Sequence, residues 1–271
     1  MTSVTTEQLA MLTVDDGVAT ITLNRPEALN ALTMPLVCQL RSLGSEVELR
    51  PDIRVLVIRG NGQSFCVGAD LQMFVENLDH IDVHVRQILD EMGEFIRCLR
   101  RMGKIVIMSI HGSVAGGGMS FVSHADLCIA AASTQFVPAY NRIGLCPDLG
   151  ATLSYERSIG LKRSIQTFLF EDRISAQQAL DWGIINWIVP DNQIIAETTR
   201  IAKRVAKNAP EAIAATKQLF VASQGQFLEV QMANEMERII ACMQGDTFRS
   251  AISGFANKSS ATRREQKQCF E

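Results

Sequence analysis

Apolar positions alternate with polar ones from the start of the chain. In "LAMLTVDDGVATITLNRP" (9–26), two β-branched runs flank Asp15-Asp16-Gly17, and Pro26 closes the second; the pattern predicts a β-hairpin. The period then lengthens. Residues 34–49 carry apolar side chains at helical spacing and stop at Pro51. "IRVLVIRG" (53–60) predicts a short buried strand. Residues 82–102 predict an amphipathic helix with Ile88, Met92, Phe95, Ile96 and Leu99 on one side. Next come a strand, "KIVIMSIHG", three glycines, an apolar segment (119–125) and another strand, "DLCIAAA". This alternation predicts an α/β core with parallel pairing. From about residue 153 the pattern turns helical, with segments expected at 191–207, 210–222, 226–243 and 246–256, interrupted by a strand in "IINWIV" (184–189).

Composition adds mainly exclusions. A chain of 271 residues, 47% hydrophobic and 20% charged, has the make-up of an ordinary globule with a sizeable core. A net charge of -3 gives no basic face for nucleic acid. No stretch reaches the roughly 20 apolar residues needed to span a bilayer. "MTSVTTEQLA" has no basic start leading into an apolar core, so the expected location is the cytoplasm. The seven cysteines (38, 66, 98, 128, 146, 242, 269) are odd in number and lack CxxC spacing, which predicts free thiols and no metal site.

Two loops look prepared for backbone chemistry. In "SFCVGADL" (64–71), Gly68 permits a sharp turn that leaves the Ala69 amide free to point outward. In "HGSVAGGGMSF" (111–121), three glycines before a helical segment let a ligand approach the amides closely. Two N–H groups converging on one oxygen would form an oxyanion hole. The glycine run fits neither the phosphate-loop nor the dinucleotide pattern. A third stretch, "AYNRIGLCPDLGAT" (139–152), places Asp148 among apolar and small residues; it reads as a turn residue or as an acid/base in a pocket.

These segments in register resemble the enoyl-CoA hydratase/isomerase (crotonase) family. "NRPEALNALT" is similar to its opening signature, "FCVGADL" and "GSVAGGGMSFVSHADLCIAA" to its two oxyanion segments, "FVPAYNRIGLCPDLGAT" to its acid/base segment and "FANKSSATRRE" to its C-terminal end. The resemblance implies an α/β spiral of ββα units (1–200) followed by a helical trimerisation region (201–271), assembled as a homotrimer or as a hexamer of two trimers. It implies a CoA thioester substrate, no permanently bound cofactor, and a thioester carbonyl gripped by the amides of Ala69 and Gly117. The CoA moiety would run past Ala28, Leu29, Val67, Ala69 and Asp70. Phe255 and Lys258 would close over its adenine and phosphate end, from a neighbouring subunit.

The hydratases of this family carry two glutamates. Ser120 and Tyr140 occupy those positions here, and neither is a base near neutral pH without a perturbing partner. Asp148 stands where hydratases usually have glycine and where isomerases place an aspartate. In a pocket with Ile143, Leu145 and Leu149, desolvation should raise its pKa into the range useful for proton transfer. The resemblance therefore points to double-bond isomerisation with Asp148 as the single acid/base. Hydration at an atypical site, aryl-CoA dehalogenase-like hydrolysis and non-catalytic acyl-CoA binding are the alternatives. The dehalogenase mechanism needs a histidine where this chain has Gly93. Of the histidines, His80 and His84 lie in a 73–84 loop expected over the acyl pocket, while His111 and His124 are expected to be structural.

Overall fold

The computed structural model describes residues 7–223 and 227–256. The opening hairpin forms as predicted, with β1 (Ala10–Asp15) antiparallel to β2 (Val18–Leu23). Next comes α1 (Met34–Leu49). The Thr33 hydroxyl caps its first turn by accepting from the Leu36 amide, and Pro35 sits where no helical N–H is required. Then follow β3 (Val55–Gly60), α2 (Leu71–Glu76), α3 (Ile81–Arg101), β4 (Ile105–Ile110), β5 (Ser113–Ala115), α4 (Gly117–Val122), β6 (Leu127–Ala131) and β7 (Gln135–Val137). The chain continues through α5 (Ala151–Ile159), α6 (Leu161–Leu169), β8 (Ile174–Ser175), α7 (Ala176–Trp182), β9 (Trp187–Val189), α8 (Ile194–Ala206), α9 (Pro210–Ser223) and α10 (Phe227–Met243), to a last helix at 246–256.

The strands form a six-stranded sheet, ordered β1-β2-β3-β4-β6-β9, and a three-stranded one, β5-β7-β8. All pairs in the larger sheet beyond the hairpin are parallel. Successive turns of chain put one strand into each sheet and then a helix: β4, β5, α4, then β6, β7, α5. Before them, the segment after β3 touches the small sheet through the Cys66–Val114 bridge. The result is a spiral of ββα units.

Strand periodicity divides the core between the two faces of the large sheet. Leu56, Ile58, Val106, Met108, Cys128 and Ala130 point to the side covered by α1 and α3. Val55, Val57, Ile107, Ile129 and Ala131 point to the other, covered by Ile194, Ala202 and Ala206 of α8. α8 crosses positions 200–201, where the sequence suggests a boundary between core and helical region. α10 packs back against α3 and α5 of its own chain.

Two expectations are revised. The 73–84 segment is not a loop: α2, a 3-10 turn (Leu78–His80) and the start of α3 occupy it. The strands β5, β7 and β8 interrupt stretches in which the hydrophobic pattern shows no strand, because two or three residues are too few to display a period. No helix among the described residues is long and apolar enough to cross a membrane.

Candidate active site

The two glycine-containing loops meet. Gly68 has φ +88°, and a Cβ placed on it would stand 2.8 Å from both the Gly117 nitrogen and the Ala115 carbonyl oxygen. Only glycine allows this backbone and this approach. The next residue, Ala69, is held by Leu32, which donates to the Gly68 carbonyl (2.7 Å) and accepts from the Asp70 amide (3.1 Å). Gly117 is the first residue of α4, where an amide has no partner within the helix. Neither the Ala69 nor the Gly117 amide has a main-chain acceptor among the described residues.

Both residues border a cavity of about 230 Å³ whose wall is mostly apolar, including Leu32, Phe74, Ile88, Met92, Leu145 and Met243. Asp148 is the one carboxylate among the described residues lining it. It is only 8% exposed, and burial raises its carboxyl from 3.8 to about 6, against the opposing effect of a hydrogen bond from Tyr140. The Tyr140 hydroxyl donates to Asp148 Oδ1 at 2.5 Å. Ser120 Oγ lies 2.7 Å from the same hydroxyl. With the phenol proton committed to Asp148, Ser120 is the donor in that pair, and the proton order runs Ser120 to Tyr140 to Asp148. Burial, then the Asp148 charge, pushes the Tyr140 phenol well above its ordinary value, so it serves as a donor. Arg142 also borders the cavity, but its guanidinium is turned to Asp172 at 2.7 Å.

A larger cleft, about 720 Å³, lies beside α5 and α9 and is lined by Asp126 and Lys217 among others. Lys217 spends its charge on Asp126 (2.7 Å) and on the carbonyls of Leu99 and Lys104. Size does not decide here: the paired amides and the perturbed carboxylate belong to the smaller cavity.

The other predicted residues divide. Val67, Ala69, Tyr140 and Leu145 line the cavity, and Ser120 joins through Tyr140. Ala28 ends a 3-10 turn, and the half-exposed Leu29 follows it. Asp70 is engaged elsewhere, with Arg25 at 2.7 Å and with the Gln72 amide as the cap of α2. Phe255 is exposed on the last helix, and Lys258 lies outside the described residues. His80 is exposed, His84 half-buried, and neither lines the cavity. His111 Nε2 meets the Gly62 carbonyl at 3.0 Å, and His124 is buried with Nε2 2.6 Å from the Leu149 carbonyl. A Cβ on Gly93 would already stand 3.1 Å from Met232. Sequence reasoning missed what α10 contributes to the site: Ile239 and Met243 in the cavity wall and a buried carboxylate, Glu235, behind it. Their apolar spacing marked a helix but not its docking partner.

The family model described as Enoyl-CoA hydratase/isomerase matches residues 13–266. The chain belongs to the enoyl-CoA hydratase/isomerase family. Within it, the chain is 32% identical to the 1,2-epoxyphenylacetyl-CoA isomerase of Escherichia coli, over 91% of this chain and 95% of that one. It is also 32% identical to the trans-2-decenoyl-[acyl-carrier-protein] isomerase of Streptococcus mutans, over 76% and 79%. Among solved structures, an enoyl-CoA hydratase from Bacillus halodurans superposes with a TM-score of 0.86 at 23% identity, covering 91% of this chain and 99% of that one. That likeness establishes the crotonase fold.

Proposed function

We propose that the protein isomerises the double bond of an acyl-CoA thioester, with Asp148 as the single acid/base and the amides of Ala69 and Gly117 as the oxyanion hole. The observation that carries this reading is the pairing of one buried carboxylate with two amides that have no main-chain acceptor among the described residues, all on one apolar cavity. The thioester oxygen accepts from both amides, where negative charge develops during reaction. Asp148 takes a proton from C2 of a 3-enoyl chain. The C–H electron pair becomes the C1–C2 double bond of a dienolate, and the carbonyl electrons move to oxygen. The same carboxyl returns the proton at C4, which leaves a 2-enoyl thioester. Tyr140 holds Oδ1 of Asp148 and leaves Oδ2 for the carbon acid. A carboxyl near 6 is suited to both halves of this exchange. The isomerase names of two relatives support the reaction class.

The CoA moiety passes Ala28, Leu29, Val67 and Ala69, and Phe255 of a neighbouring copy closes over its adenine end; Lys258, the other residue expected there, lies outside the described residues. Incubation with 3-enoyl- and 2-enoyl-CoA in deuterated water tests the reading. Double-bond migration with deuterium entering C2 and C4, abolished in Asp148→Asn, is expected. Water addition without migration, or binding without any exchange, would sink it. Exposed Leu219, Phe220, Phe227 and Val230 on α9 and α10 support assembly of copies through the C-terminal helices, as a trimer or a hexamer of two trimers. Sedimentation that finds only the 29.9 kDa monomer would contradict this.

A further inference from the structure

The turn that carries Asp148 is strained and held from outside. Leu149 (φ +56°) and Gly150 (φ +79°) are consecutive left-handed residues, a conformation unfavourable for leucine. α5 begins directly after them, and Gly150, at its cap, has no side chain to satisfy the first amides. Glu235 supplies that function from 85 positions along the chain. Its Oε2 accepts from the Gly150 amide at 2.5 Å, and its Oε1 accepts from the Thr152 amide at 3.0 Å and from the Thr152 hydroxyl. Gln231, one turn earlier on α10, donates to the same hydroxyl at 2.6 Å. Across the turn, His124 Nε2 sits 2.6 Å from the Leu149 carbonyl.

A local side-chain cap is sterically barred, because a Cβ on left-handed Gly150 would collide with Leu228, so α5 must be capped from elsewhere. A glutamate only 4% exposed, brought in from another helix, does more than that. We infer that Glu235 is a positioning residue for Asp148: it clamps the strained turn and places a negative charge behind the carboxylate, on the side away from the substrate. The inference rests on Asp148 being the acid/base.

The charge acts on Asp148 directly. After burial and the opposing Tyr140 hydrogen bond, Glu235 is the next influence on the Asp148 carboxyl, and it acts upward. Glu235 itself is raised by burial and drawn back by its Thr152 and Gly150 donors. The other groups facing this pair are Tyr140 and Ser120 on the cavity side and the Cys146 thiol on the same turn. On the outer side Glu237 and Arg238 border the cleft, and Glu237 is tied to Arg86 at 2.8 Å.

The test compares Glu235→Gln, Glu235→Ala and Asp148→Asn in the full-length protein, with kcat and KM for a 3-enoyl-CoA measured across pH. Glu235→Gln keeps an acceptor oxygen and loses the charge. It should leave KM nearly unchanged, lower kcat, and move the acid limb of the profile to lower pH, because the Asp148 carboxylate is then easier to form. Glu235→Ala also frees the turn and should cost about a hundredfold in kcat. An acid limb in Glu235→Gln that coincides with the wild type would overturn the inference and leave Glu235 a helix cap. If Glu235→Ala does not fold, Glu235→Gln alone decides. Isomerisation that survives in Asp148→Asn would instead defeat the underlying assignment, and the inference with it.

Discussion

The two halves of the site are built in opposite ways. On the proposed reading the amide loops act through main chain alone: Gly68 lets them approach, and no titratable group takes part. The Asp148 turn acts through side chains drawn from several elements: Tyr140 before it, Ser120 on α4, His124 beyond α4 and Glu235 on α10. The first half should fail by steric change and ignore charge; the second should fail by charge change with little alteration of shape.

Four substitutions or comparisons press on that contrast. Asp148→Asn keeps the shape and removes the proposed base, so turnover should fall by about 10³-fold or more, read as loss of deuterium exchange into substrate. Gly68→Ala adds one methyl group at positive φ, against the Gly117 nitrogen. It should lower kcat by about 10²-fold with an acid limb unchanged from the wild type. An altered limb would mean that the two halves are coupled. Tyr140→Phe removes a donor that favours the ionised carboxylate. The Asp148 carboxyl then rises above about 6, and the acid limb moves to higher pH, opposite to the displacement expected for Glu235→Gln. Rates measured across the acid range separate the two directions.

The smallest effect concerns stability. Because the folded-state carboxyl lies near 6, above the ordinary 3.8, the folded protein binds more protons than the unfolded chain between those values. Stability is therefore lost as pH rises through that window. The penalty corresponds to about 3 kcal/mol at most. Asp148→Asn should unfold at a higher temperature than the wild type above pH 7, and the advantage should vanish near pH 3.5. A wild-type protein equally stable at both ends, relative to the variant, would deny the strained ionisation of Asp148.

Much of this was legible in the sequence, unevenly. The hairpin, β3, β4 and α3 follow from periodicity, since each spans enough residues to show period two or 3.6. Gly68 and the glycine run marked a backbone device without showing that the loops meet, because that contact is made by the Leu32 segment and the small sheet. Asp148 stood out by its surroundings, but the order Ser120, Tyr140, Asp148 depends on 20 and 8 residues of chain folding back to hydrogen-bonding distance. Glu235 was invisible. On a helix with many other polar residues, only docking distinguishes the one carboxylate that is buried.

The docking of α10 also has a consequence for the order in which the protein becomes competent. Every strand among the described residues, both amides and Asp148 itself lie before residue 190, while Glu235, Ile239 and Met243 come at least 45 residues later. As the chain leaves the ribosome, the sheet can close while the cavity still lacks one wall. The carboxylate is thus sealed from water only after α10 has been made, and a chain interrupted before it would be a scaffold without an enclosed chamber.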